Sequence, residues 1–93
     1  MNKKRLLQKI LMGSQNVRFS DFVSLIEALG FGLERVNGSH HIFKHPDVQE
    51  LVNLQDVRGE AKPYQVRQVV ELIEAYGLTL EAAGTAEIEE EQE

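Results

Sequence analysis

All three histidines of the chain fall within six residues, in the run Gly38-Ser39-His40-His41-Ile42-Phe43-Lys44-His45. Imidazole, with an unperturbed pKa of about 6.5, gives or takes a proton near neutral pH, which is what a general acid or base must do. Gly38 tolerates backbone angles closed to other residues and suits a tight turn or the close approach of a ligand. Ser39 adds a hydroxyl and an amide donor, and Lys44 adds positive charge.

Ile42 and Phe43 read as a strand, so the run is a turn feeding a strand. Side chains alternate along a strand, which places His40 with Ile42 and Lys44 on one face and His41 with Phe43 and His45 on the other. The two adjacent histidines cannot both point the same way. His41 is expected to pack or hydrogen-bond beside Phe43. His45, just before Pro46 at the strand end, is expected to be solvated. Imidazoles bind zinc or nickel, but these three are split between faces with no acidic cluster beside them, so neither a metal nor any other cofactor is expected.

The elements around the run follow from periodicity and stop signals. Residues 3–12 carry Leu6, Leu7, Ile10 and Leu11 at helical spacing before Gly13, which makes residues 1–13 a leading helix. Residues 16–19 read as a loop. Ser20 is expected to cap a second helix with the apolar stripe Phe22, Val23, Ile26 and Leu29, ended by Gly30. Extended runs follow at 31–36, 40–44 and 50–54, with Asn37-Gly38 as a hairpin turn and Pro46-Asp47 as a break. Residues 59–62 read as a polar connection. Pro63 then opens a helix in which Val66, Val69, Val70, Ile73 and Tyr76 recur at three- and four-residue intervals before Gly77.

The fold class expected is α+β: a leading helix, then α-β-β-β-α, with a three-stranded antiparallel sheet carrying its helices on one face. The sheet's other face is left open to a ligand. That outline is similar to the double-stranded-RNA-binding fold, and by itself it implies no function.

Ninety-three residues allow one domain, placed here at 1–80. Residues 81–93 hold six of the fifteen acidic residues, and their composition leads to an expectation of disorder. The net charge of −5 comes from that stretch, since residues 1–80 carry ten Lys/Arg against nine Asp/Glu, a balance of +1. Any phosphate contact must therefore come from local clusters. Lys3, Lys4, Arg5 and Lys9 form one; Arg35, Lys44, Arg58, Lys62 and Arg67 form another if the fold gathers them. Solvated faces are the plain alternative for both. No apolar stretch approaches the roughly 20 residues that cross a bilayer, and none near Met1 resembles a secretory signal. Zero cysteines exclude disulfides and thiolate chemistry. A cytoplasmic location without membrane contact is expected.

Residues 19–76 resemble the HicA toxins of bacterial and archaeal toxin-antitoxin pairs, described as mRNA interferases. The resemblance rests on Ala28-Leu29-Gly30-Phe31, on Arg35 two residues before Asn37-Gly38-Ser39-His40, on Ile42-Phe43, and on the later helix opening with Pro63. It implies an endoribonuclease neutralised by a HicB-like antitoxin, with the histidine after Gly-Ser, here His40, as catalytic. Many family members carry a second histidine two residues after the helix-opening proline. Gln65 stands there instead, which leaves the partner of His40 in acid-base catalysis open. The leading helix and the acidic end lie outside the usual short form.

A ribonuclease that uses the RNA's own 2′-hydroxyl as nucleophile needs a base, an acid and cations or donors for the phosphorane. On this reading His40 is the acid or base. Lys44 and Arg35 are phosphate-binding cations, and Gly38 and Ser39 admit the RNA backbone. Lys62 and Arg67, flanking the start of the last helix, could add phosphate contacts, and Tyr64 could stack on a base or pack on the sheet edge. His41 is a secondary candidate. Two other classes stay open: a non-catalytic RNA-binding domain using the same face, and a protein-interaction module suited to a near-neutral body.

Overall fold

Asn2 begins the first helix by accepting the Lys4 and Arg5 amide hydrogens at its Oδ1, 2.8 and 3.2 Å away. A computed structural model describes residues 2–80. Its elements in chain order are α1 (Lys3–Leu11), α2 (Phe19–Ala28), β1 (Gly32–Asn37), β2 (His40–His45), β3 (Val48–Val57), β4 (Glu60–Ala61) and α3 (Pro63–Tyr76). The acidic stretch 81–93 lies outside the described residues.

Helix α1 turns Leu6 and Ile10 inward and packs against α2 and α3. Helix α2 starts two residues earlier than its sequence predicts. Ser20 is not its cap: Arg18 holds that position and makes no side-chain cap bond. The reason is tertiary. The Phe19 amide, one of the orphan donors of a helix start, donates to the Gly59 carbonyl at 2.8 Å, which pins the first helical residue to the β3–β4 turn. Helix α3 follows its sequence signals, with Pro63 in the first turn and Gly77 as a left-handed cap at φ 63°.

The sheet has four strands in the order β1-β2-β3-β4, each antiparallel to its neighbour. Sequence reasoning expected three and read 59–62 as a connection. The short β4 forms because Arg58 and Gly59 both take positive φ, 55° and 85°, which two-residue hairpins favour. The Asp56 Oδ1 accepts the Gly59 amide hydrogen at 2.7 Å. On its far side β4 meets residues 17–19, where the Ala61 amide donates to the Val17 carbonyl at 3.0 Å. The turn between β1 and β2 consists of Gly38 and Ser39, with Asn37 paired to His40. It therefore falls one residue later than the Asn37-Gly38 dipeptide indicates, and it places Gly38 at φ 65°.

One face of the sheet is covered. Phe43, Val52 and Leu54 join Phe22, Leu25 and Ile26 of α2, its C-cap Leu29, and Val66, Val69 and Ile73 of α3 in one buried cluster. Each such side chain withdrawn from water contributes about 1.5–3 kcal/mol. These apolar residues hold the sheet by one side and leave the opposite face without helices, with Ile42 buried among its strands. Among the described residues no helix is long and apolar enough to cross a membrane.

Candidate active site on the open face

The alternation of β2 is as its sequence predicts at the first two histidines. His41, Phe43 and His45 point to the helices, and His40, Ile42 and Lys44 to the open face. His41 lies with its ring 5.0 Å from that of Phe19, and its Nδ1 is 3.3 Å from the Ser39 carbonyl oxygen. A carbonyl only accepts, so the proton of this bond is on Nδ1.

His45 corrects its expectation. It is buried, 4% exposed, with its ring 5.0 Å from Phe31. Its Nε2–H donates to the Leu29 carbonyl at 3.1 Å, and its Nδ1 accepts the Asp47 amide hydrogen at 2.9 Å. The imidazole thus ties the end of α2 to the Pro46-Asp47 turn. The tight turn folds the strand end back under the helix, which a reading of Pro46 as a simple break did not capture.

His40 is half-buried on the open face, paired across the ladder with Asn37 on β1 and Gln55 on β3. Its Nδ1 lies 3.0 Å from Oδ1 of Asn53. Beside it, the Gln55 amide Nε2 donates to the Ser39 hydroxyl at 3.3 Å, and the Asp56 amide donates to the Ser39 carbonyl at 3.1 Å. The glycine-serine turn and His40 are therefore fastened to β3 by three contacts. Asn53 and Gln55 were missed from sequence. Their signal was present as polar residues alternating with Val52 and Leu54, which puts both on the open face opposite β2.

The predicted cations are distributed unequally around His40. Arg35, exposed on β1, pairs with Ile42 and is thus a diagonal neighbour of His40, about 7–8 Å between backbone positions. Lys44 is four residues along β2, about 13 Å at strand spacing, so it suits a neighbouring phosphate rather than one at His40. Lys62, with Val57, Arg58 and Pro63, lines a shallow concavity at the β3–β4 hairpin. Its Nζ stands 5.7 Å from the Tyr64 ring centre, and Tyr64 is 53% exposed rather than packed on the sheet edge. Arg67 is elsewhere, lining a groove between α1 and α3 with Ile10, Leu11 and Val70.

Gln65 is 2% exposed. Its Oε1 accepts the Gln55 amide hydrogen and its Nε2 donates to the Asn53 carbonyl, both at 3.1 Å. Along β3, strand β4 reaches only Asp56 and Val57, so this one side-chain amide stands in for a neighbouring strand along 53–55. Among the described residues, no group of three or more histidine, cysteine or carboxylate side chains is placed to hold a metal ion.

A small α+β domain with one helix-covered sheet face, and a single histidine between basic and amide side chains on the other, is the setting in which the comparisons with known proteins fall. The family model described as the HicA toxin of bacterial toxin-antitoxin matches residues 19–84, and the chain belongs to that family. No curated protein and no solved structure matches it.

Proposed function

We propose that the protein is the toxin of a toxin-antitoxin pair and acts as an endoribonuclease on single-stranded mRNA, with His40 as general acid or base. The observation that carries this reading is the placement of His40, half-buried on the uncovered face, held at Nδ1 by Asn53 and flanked by Arg35 and the Gly38-Ser39 turn. Membership of the HicA family supports it. The RNA's 2′-hydroxyl attacks the adjacent phosphorus, and the imidazole moves a proton at the attacking or the leaving oxygen. Arg35 faces the reacting phosphate, while Lys44 and Lys62 hold phosphates to either side. Tyr64 is available for stacking on an unpaired base. No metal or other cofactor takes part. A HicB-like antitoxin neutralises the toxin by covering the His40 face, and the reaction takes place in the cytoplasm. In domain terms residues 1–80 form the working unit, with 81–93 as an acidic extension.

One observation favours a second reading, a non-catalytic RNA-binding domain. His41 and His45 face the helices, so His40 has no second imidazole beside it, and Gln65 is committed to the backbone of β3. The two readings differ in the products obtained with a long unstructured RNA in EDTA. The nuclease reading predicts fragments with 5′-hydroxyl ends and cyclic 2′,3′-phosphates. RNA that is bound at low salt, released at high salt and recovered intact would select the binding module.

A further inference from the structure

We propose that Asn53 is a positioning residue that fixes the tautomer of His40, so that Nδ1 carries the hydrogen and Nε2 presents its lone pair to the substrate; the catalytic part of this rests on the nuclease reading above. An amide oxygen only accepts, so the 3.0 Å contact between Asn53 Oδ1 and His40 Nδ1 exists as a hydrogen bond only when Nδ1 is protonated. A neutral ring held this way has its basic nitrogen at Nε2.

The backbone that carries Asn53 is itself restrained. Its backbone carbonyl takes the Gln65 Nε2–H at 3.1 Å, and the amide two residues on, at Gln55, donates to Oε1 of the same side chain at 3.1 Å. Gln65 therefore fixes β3 at the two residues whose side chains reach over to His40 and Ser39. A ring nitrogen set by the partner of the other nitrogen is the general way in which proteins assign histidine roles.

The test is long-range ¹H–¹⁵N correlation of the histidine rings in the full chain without RNA, at a pH where His40 is neutral. The His40→Ala spectrum identifies the signals. The expected result is a His40 ring with Nδ1 protonated and Nε2 bare, which in Asn53→Ala relaxes toward the tautomer mixture of a free imidazole. Asn53 is exposed, so this variant is expected to fold as the parent does. An Nε2-protonated ring in the parent, or a tautomer unmoved in Asn53→Ala, overturns the proposal whatever the RNA assay shows. In the cleavage assay Asn53→Ala is expected to lower kcat about tenfold with little change in KM, whereas a rise in KM alone would contradict a positioning role. A parent that shows the expected tautomer and leaves RNA intact would refute the nuclease reading and leave the Asn53 assignment standing.

Discussion

His40 and His41, adjacent in the chain, stand on opposite faces of β2: the first has its Nδ1 3.0 Å from Asn53 on the open face, and the second packs at a tilt with its ring 5.0 Å from that of Phe19 beneath the sheet. The pair therefore divides into one imidazole available to a ligand and one that belongs to the packing. Replacing His41 with Ala is expected to reduce stability by about 1–2 kcal/mol through the lost ring contact and to leave a measurable share of RNA cleavage. Chemical denaturation beside a cleavage assay checks this, and a His41→Ala protein as stable as the parent but inactive would reverse the assignment.

His45 is expected to be the most costly of the three histidines to remove from the fold. Its replacement by Ala strands the Leu29 carbonyl and the Asp47 amide, which the ring now satisfies, and opens a cavity beside Phe31. Together these are expected to cost about 3–5 kcal/mol. A melting temperature close to that of the parent would show that the ring does not bridge α2 and the turn.

Gln65→Leu keeps the volume and removes both bonds to β3. Two backbone groups then lose their partners, at about 1–3 kcal/mol each. The expected readout is a lower denaturation midpoint together with faster hydrogen exchange at the Gln55 amide, the donor that Gln65 accepts from. Unchanged exchange at Gln55 would count against the clamp.

Arg58 is the only non-glycine residue with positive φ among those described, a conformation that costs an L-residue about 1–2 kcal/mol. Arg58→Gly at the β3–β4 turn is accordingly expected to stabilise the protein by up to about 1 kcal/mol. Loss of stability instead would mean that the arginine side chain makes a compensating contact. If RNA affinity at low salt falls while stability rises, the strain is retained for a phosphate contact.

Tyr76 donates its hydroxyl hydrogen to Glu50 at 2.8 Å, and that bond, chiefly, holds the phenol above its usual value of 10.0. A folded-state value raised above the unfolded one gives a stabilising contribution that is complete below pH 10.0 and disappears as pH rises through the folded value. Phenolate absorbance in a Tyr64→Phe background is expected to show Tyr76 titrating later than in Glu50→Gln. Equal titration curves would remove Glu50 as the cause.

Much of this was legible in the sequence, and the failures have physical causes. Alternation from Ile42 and Phe43 gave the faces of His40 and His41, and Pro63 and Gly77 marked the ends of α3, because each signal acts within a few residues. Three features were set by distant contacts instead. The start of α2 depends on the Gly59 carbonyl. The burial of His45 depends on Leu29, 16 residues away. The roles of Asn53 and Gln65 depend on a partner strand and a helix meeting at 53–55. A two-residue β4 lies below the length at which a strand pattern can be read at all.

The measurement that bears most directly on the account is the single-turnover rate of RNA cleavage in EDTA by the parent and by His40→Ala, with the fold of the variant confirmed by its NMR spectrum. The account predicts a loss of at least about 100-fold, in the range that a positioned acid or base contributes. Equal rates in the two proteins would contradict it.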